Sequence, residues 1–425
     1  MTSTKDRQYE IILFGATGYT GKYTAEYFTK SSPTNCKWAI AGRSQSKLQD
    51  LAKELQALNP NRAPPAIETS SLEPESLEKI ALKTKVLVTT VGPYHKYGTP
   101  VLAACAKTGT HYLDVTGEIP WVYDMVNQYH DAAKHTGAII IPQCGVESAP
   151  SDLMCWALVN HNRETLHTGT GEIVYSMHDM KGSASGGTLS TILTLFDRYG
   201  LGELAKSSAR WSISAVKPPK QDYSKSLTEK LTGLRTVDDL GGTLTDSLQS
   251  VDIPIVHRSW SLYDGGKLYG DKFHFTPYMR ASGMLQGLAV HFAMGFGLLA
   301  LLLPPVRWLL QKYVTQPGSG ATKEYAALII CLKETAKDFV EWRAIATADS
   351  ADPTAPKRAS ARWHFNGSLY HMTGILVAEA ALAIARDETP AHGMGGGVLT
   401  PATLGGKYLD RMKVAGVTVE VATMP

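Results

Sequence analysis

The chain has 425 residues, 44% of them hydrophobic, enough for two domains with an ample buried core. Its 42 basic and 39 acidic residues leave a formal net charge of +3 with no block of like charge, so nucleic acid is not an expected partner. The cysteines Cys36, Cys105, Cys144, Cys155 and Cys331 are scattered and form no CxxC pair, which speaks against a disulfide framework or a metal site. The polar stretch Met1 to Glu10 does not read as a secretory signal.

The first 145 residues alternate short apolar runs with helical patterns. Strands are predicted at Tyr9 to Phe14, Lys37 to Ala41, Lys85 to Val91, His111 to Val115 and Ala138 to Ile141. Helices are predicted at Tyr19 to Phe28, Ser46 to Leu58, Pro74 to Leu82, Pro100 to Thr108 and Trp121 to His135. This rhythm predicts a parallel sheet with helices on both faces. After about Pro150 the rhythm changes. A strand at Gly171 to Met177 and a helix at Gly187 to Tyr199 are followed by a predicted hairpin, Ser259 to Tyr278, turning at Asp264-Gly265. Strands at Phe339 to Thr347 and Ala361 to Phe365 precede an alanine-rich helix at Met372 to Ala385. Thr400-Pro401 starts a last helix, Gly416 stops it, and Val417 to Val421 reads as a final strand.

The most specific pattern is Gly15-Ala16-Thr17-Gly18-Tyr19-Thr20-Gly21, which follows the first strand and opens a helix. Such a turn is tight, and its backbone comes close to a pyrophosphate held by the free N–H groups and positive dipole end of the helix. Gly15, Thr17, Gly18, Tyr19, Thr20 and Gly21 are therefore the expected phosphate contacts of a dinucleotide; a glycine-rich turn without ligand is the alternative. The second strand ends in Ala41-Gly42-Arg43-Ser44, with Lys47 one turn on. An acid there would bind the ribose hydroxyls of NAD, whereas Arg43, with Ser44 and Lys47, suits the 2′-phosphate of NADPH. A solvated loop arginine is the alternative.

The strand at Lys85 runs into Val91-Gly92-Pro93-Tyr94-His95-Lys96-Tyr97-Gly98. Ligands of open α/β sheets sit at the carboxyl ends of strands, so Val91, Gly92 and Pro93 are expected beside the nicotinamide ribose. Tyr97 is the first candidate proton donor, because Gly98 after it leaves room for a substrate; Tyr94 and His95 follow, then His178 in the second domain. Plain packing is the alternative for each of them. Asp114 and Glu118 also fall at a strand end, where bonding loop N–H groups or capping a helix is preferred to acid/base work.

Together these motifs resemble the saccharopine dehydrogenase-like oxidoreductases, a family that includes the trans-acting enoyl reductases. The matching pieces are GATGYTG at Gly15 to Gly21, AGRS at Ala41 to Ser44, VGPYHKYG at Val91 to Gly98 and HYLDVTGE at His111 to Glu118. SAPSDL at Ser148 to Leu153, SGGTLS at Ser185 to Ser190 and GGVLTPA at Gly396 to Ala402 match as well. The resemblance implies an α/β fold: a Rossmann domain at 1–150, an inserted α+β substrate and dimerisation domain at 151–390, and a C-terminal helix and strand at 391–425 that return to the Rossmann domain. Two stretches depart from the family pattern where substrate contacts are expected, Gly145-Val146-Glu147 and Asn366-Gly367-Ser368-Leu369-Tyr370.

The implied reaction is hydride transfer from NADPH to a C=C, C=N or C=O bond. No Tyr-x-x-x-Lys pair is placed as in short-chain ketone reductases, and no arginine cluster for an amino-dicarboxylate is visible in the second domain. The expected substrate is hydrophobic or acyl, free or carrier-bound. The expected reaction is enoyl reduction in polyketide, lipid or secondary-metabolite biosynthesis. Imine or carbonyl reduction, and a non-catalytic NADPH- or lipid-binding adaptor, are the alternatives. Segment 281–306 has no formally charged residue apart from whatever charge His291 carries. It reads as a buried helix or homodimer interface, an acyl tunnel, or a segment dipping into a lipid surface. A full span is disfavoured, because it would separate the C-terminal helix from the Rossmann domain and Pro304-Pro305 would end a helix there. The expected location is the cytoplasm, with a membrane or lipid droplet as a second site.

Overall fold

The computed structural model describes residues 7–181, 186–218, 224–313, 338–349 and 356–425. The first half alternates strand and helix: β1 (Tyr9–Phe14), α1 (Tyr19–Ser31), β2 (Trp38–Gly42), α2 (Gln45–Leu58), β3 (Ala66–Thr69), α3 (Pro74–Ala81), β4 (Thr84–Thr89), α4 (Tyr94–Thr108), β5 (His111–Asp114), α5 (Ile119–Thr136) and β6 (Ile139–Ile141). Helix α6 (Ala149–Glu164) leads into β7 (Gly169–Lys181), α7 (Gly186–Arg198), α8 (Leu201–Ser207), α9 (Leu227–Thr232), β8 (Arg235–Val237), β9 (Gly242–Asp246), α10 (Ile253–Leu262) and β10 (His274–Arg280). Then come α11 (Met284–Leu301), α12 (Pro304–Tyr313), β11 (Phe339–Asp349), β12 (Arg358–Asn366), α13 (Leu369–Arg386), α14 (Pro390–Gly393), β13 (Gly397–Val398), α15 (Gly405–Val414) and β14 (Thr418–Thr423).

The first sheet is parallel, in the order β13-β6-β5-β4-β1-β2-β3. Parallel sheets need cover on both faces. Alternate residues of each strand supply it: Ile11, Leu13, Val86 and Val88 face α1, α2 and α13, whereas Ile12, Phe14 and Leu87 face α3, α4 and α5. The direction of chain progression reverses between β1 and β4, which opens a crevice at their carboxyl ends. The second sheet runs β14-β12-β11-β7-β10-β9-β8, antiparallel apart from the β7–β10 pair. Trp342, Trp363, Tyr175 and Phe275 of this sheet belong to the same buried cluster as the α1–α13 side of the first sheet, so one core joins the two layers.

Several elements differ from the sequence expectation. The predicted hairpin at Ser259 to Tyr278 is a helix, α10, followed by a short 3-10 turn at Asp264–Gly266 and strand β10. Pro254 starts that helix, and Ile255, Val256 and Trp260 are buried along it. Asp264-Gly265 is thus a helix exit and not the turn of a hairpin. Strand β3 was not anticipated, because it is a short edge strand without a buried residue. Helix α4 starts at Tyr94, not at Pro100, which lies inside it. Helix α13, assigned from sequence to the inserted domain, lies on the first sheet. Gly374 makes this possible: a Cβ there would come within 3.0 Å of the Thr24 nitrogen on α1. The C-terminal segment divides. β13 extends the first sheet beside β6, but β14 pairs with β12 in the second, so the last strand does not return to the Rossmann layer.

Buried polar groups tie the layers together. Asp152 on α6 accepts from Ser259 Oγ of α10 at 2.6 Å and from the Ala402 backbone nitrogen at 2.7 Å. Burial pushes its carboxyl up to about 7, against those hydrogen bonds. Asp252 accepts from Ser148 Oγ at 3.0 Å and Ser151 Oγ at 2.8 Å. Buried Arg258 donates to the Val398 carbonyl of β13. The SAPSDL and GGVLTPA motifs therefore meet in a buried clamp. Asp152→Ala should cost about 1.5–3 kcal/mol of stability, the range for hydrogen bonds to a charged group, in denaturant unfolding at pH 8. A loss below about 0.5 kcal/mol, typical of a surface site, would show that the clamp contributes nothing.

Candidate active site

The glycine loop fills the space between β1 and α1 with backbone alone. Gly15 has φ +88°, and a Cβ on it would meet Val91 Cγ2 at 2.6 Å. A Cβ on Gly21 would sit 2.3 Å from the Gly15 carbonyl oxygen. Gly18 is the N-cap of α1 and offers no capping side chain. The start of the helix, with Thr17, Tyr19 and Thr20 partly accessible around it, is therefore a ready anion site. Thr90 Oγ1 donates to the Gly15 carbonyl at 3.1 Å and locks the β4 end against the loop. At the β2 end Arg43 and Lys47 are exposed, and among the described residues no carboxylate pairs with either. Ser44 caps α2 by accepting from the Lys47 nitrogen. This loop could hold a pyrophosphate, and Arg43 and Lys47 beside it could take a further phosphate. A nicotinamide dinucleotide held there would supply hydride from its reduced ring.

The β4 end carries Val91, Gly92 and Pro93 to the first turn of α4, with Val91 against Gly15. Pro93 cannot cap that helix with a side chain. Glu118, from the loop after β5, does so instead: it accepts from the Tyr94 nitrogen at 2.6 Å and the His95 nitrogen at 2.8 Å. The same carboxylate lies 2.6 Å from His95 Nδ1. The His95 side chain is only 1% exposed, and its Nε2 has no partner. Asp114 accepts from the Thr116 and Gln143 nitrogens at 3.0 and 2.9 Å and from the Tyr112 hydroxyl at 2.7 Å, and burial raises it to about 7. Both carboxylates thus bond loop and helix donors.

The four candidate proton donors do not stand alike. The Tyr94 hydroxyl is buried, donates to the Thr89 carbonyl at 3.0 Å and accepts from the Val115 nitrogen. Burial, then Asp114, hold this phenol well above its ordinary range. It is a packing residue. His95 is turned onto Glu118. Tyr97 is 42% exposed, but the room attributed to Gly98 is taken: a Cβ there would meet Trp121 at 2.8 Å. His178 is on β7 of the second sheet, beside Gly241 and Arg280.

Glu147, in one of the two stretches where the sequence places substrate contacts, is a further candidate site residue, with no chemical role assigned from the sequence. It sits between β6 and α6, and its Oε2 lies 2.0 Å from where a Cβ on Gly117 would be. The residue retains solvent exposure, yet burial of its carboxyl and the neighbouring Glu118 raise its pKa. Tyr370 belongs to the other stretch where the sequence places substrate contacts. Its ring stacks edge-on with Tyr19 at 4.9 Å, which brings the end of the inserted domain to the glycine loop. Of the SGGTLS motif, Ser185 lies outside the described residues. The second sheet also assembles arginines that the sequence did not reveal: Arg343 and Arg362 face each other across β11 and β12, and both bind Glu341. Burial alone raises that carboxyl; the arginine hydrogen bonds prevail and hold it at about 2.

If Arg43 grips a 2′-phosphate, Arg43→Ala should weaken NADPH binding by about 1.5–3 kcal/mol and leave NADH binding nearly unchanged. Fluorescence titration with both cofactors measures this, and an equal loss for the two would remove the assignment.

Residues 11–141 match the saccharopine dehydrogenase NADP binding domain family. The whole chain is 31% identical, over 446 residues and 100% of both sequences, to a putative trans-acting enoyl reductase of Mycobacterium tuberculosis. It is 30% identical to a trans-acting enoyl reductase of Mycobacterium ulcerans, covering 99% of this chain and 100% of that one. Apo saccharopine dehydrogenase (L-Glu forming) from Saccharomyces cerevisiae has the same fold, with a TM-score of 0.56 and 12% identity over 98% of this chain and 100% of that one. The chain belongs to the saccharopine dehydrogenase-like family and is an NADP-dependent oxidoreductase.

Proposed function

We propose that this enzyme uses NADPH to reduce the carbon–carbon double bond of a hydrophobic enoyl substrate, free or held on a carrier, in polyketide, lipid or secondary-metabolite assembly. The observation that carries this reading is Glu147, an acid that follows β6 and stands beside Glu118. The paired arginines of the second sheet, which could hold a dicarboxylate, are already engaged by Glu341. An uncharged acyl chain needs no such cation. The end-to-end likeness to proteins named trans-acting enoyl reductases supports the same choice.

Enoyl reduction needs a hydride at the β-carbon and a proton at the α-carbon. Glu147 is the candidate proton donor in this reading. Its raised pKa keeps a larger fraction protonated than an ordinary carboxyl, and its accessible edge can reach a bound substrate. Glu118 holds the first turn of α4 and the His95 ring, and so fixes the wall beside it. The Tyr97 hydroxyl has no partner among the described residues, but it stands farther along α4 with its ring exposed.

Glu147→Gln should lower turnover about 10²–10⁴-fold with NADPH affinity unchanged. The parent rate should fall as pH rises through the raised Glu147 pKa, since the protonated form is the donor. Tyr97→Phe should turn over at the parent rate. A fall in Tyr97→Phe alone would move the donor role to that hydroxyl. NADPH oxidation against matched enoyl, imine and keto substrates decides the bond reduced, and turnover of the imine or keto compound without the enoyl one would overturn this reading.

A further inference from the structure

The described part of the inserted domain carries one helix whose composition contradicts its surroundings. From Ala281 to Val306 there is no Asp, Glu, Lys or Arg. Helix α11 occupies 18 of these residues with a mean hydropathy of 1.7, and only Gly287 along it is buried. Helix α13 has the same length and is also apolar, but 72% of it is buried in the core. The two are alike in composition and opposite in environment.

The base of α11 is fixed to the protein. Thr245 Oγ1 donates to the Gly287 carbonyl at 2.8 Å, and His291 Nδ1 lies 2.6 Å from Asp246 of β9. Beyond His291 the helix projects. Gly295, Phe296, Gly297, Leu298 and Leu299 are all exposed in succession. Five successive positions exceed one turn of 3.6 residues, so exposure here goes round the helix rather than along one stripe. A protein groove covers one face of a helix. A helix apolar on all sides is matched by a surrounding that is apolar on all sides.

The next turn has the composition of a lipid–water boundary. After Pro304, α12 presents Trp308, 58% exposed, with Lys312 Nζ 4.8 Å from its ring centroid. Arg307 donates to the Leu301 and Leu302 carbonyls and pairs with Asp197 of α7. Tryptophan and lysine together favour the headgroup layer, where the ring is half-apolar and the ammonium stays wet. The strands on either side of this segment, β10 and β11, both pair with β7 in one sheet. A single crossing by α11 is therefore excluded.

We propose that the α11–α12 hairpin inserts from one side into the surface of a phospholipid bilayer, with Phe292 to Leu303 among the acyl chains and Trp308 and Lys312 at the headgroups. The anchor is independent of the bond the enzyme reduces.

The test is flotation of the full chain with vesicles of phosphatidylcholine and phosphatidylglycerol in a 7:3 ratio. The parent protein should float with the vesicles. The Phe296→Asp, Leu299→Asp double variant changes only exposed positions, so it should fold, bind NADPH like the parent and lose at least about tenfold in vesicle binding. A tryptophan placed by Phe296→Trp should be quenched by brominated acyl chains. Three results would overturn the proposal: no flotation of the parent, equal flotation of the double variant, or binding abolished by 1 M salt, which would mean surface charge alone. A parent that is a stable oligomer, does not float, and is split into monomers by the double variant would assign the hairpin to a second copy of the chain instead.

Discussion

A parallel sheet has no side that it can leave to water, and in this protein the local chain cannot cover both sides. Helices α3, α4 and α5 cover one face. On the other, α1 and α2 leave β4 and β5 open, and α13 closes the gap from more than two hundred residues away. Its approach to α1 is backbone against backbone at Gly374, where any side chain would push the helices apart. The inserted sheet therefore grows out of the Rossmann core instead of hanging from a linker. The first turn of the same helix carries Tyr370, whose ring packs edge-on against Tyr19 beside the glycine loop. The helix that covers the sheet thus also reaches the glycine loop.

The acids of the two layers divide by what faces them. Asp114, Asp152 and Asp252 are buried among hydroxyls and backbone N–H groups, and burial raises all three. Glu341 and Glu172 are also largely withdrawn from water, yet their arginine partners hold each at about 2. The difference is the guanidinium. A hydroxyl offsets part of the desolvation of a carboxylate, while a paired cation outweighs it. Among the described residues Glu147 has neither, and it stands next to Glu118. That lack of a partner, in a cleft open to solvent, separates a group available for chemistry from groups that hold the fold.

The residues expected to hold the cofactor lie close together in the chain because the chemistry assigned to them is local. Gly15, Gly18 and Gly21 fall within seven residues, and Arg43 follows at the end of the next strand. Each requirement, a tight turn, a bare helix start and a cation, is met by one residue at one spacing. The substrate half obeys no such spacing. Glu147 faces Gly117 across thirty residues, and Tyr370 meets Tyr19 across three hundred and fifty. Tyr94 and Tyr97 look equivalent in the sequence, three positions apart. The first turn of α4 points one into the core against Trp121 and the other into solvent.

Read alone, the sequence determined the alternation of strand and helix in the first half, the dinucleotide loop, the preference for a 2′-phosphate and the family. These rest on periodicity and on short spacings, which the backbone expresses without help from distant residues. Tertiary structure decided the rest. It placed β14 in the second sheet although α15 before it packs beside α13, because β12 offered an open edge. It turned Asp264-Gly265 into a helix exit once Trp260 found a buried site. It buried α13 and left α11 exposed, although both are apolar and eighteen residues long. Composition sets how strongly a segment avoids water, but only the neighbours that the fold supplies decide what takes the place of that water.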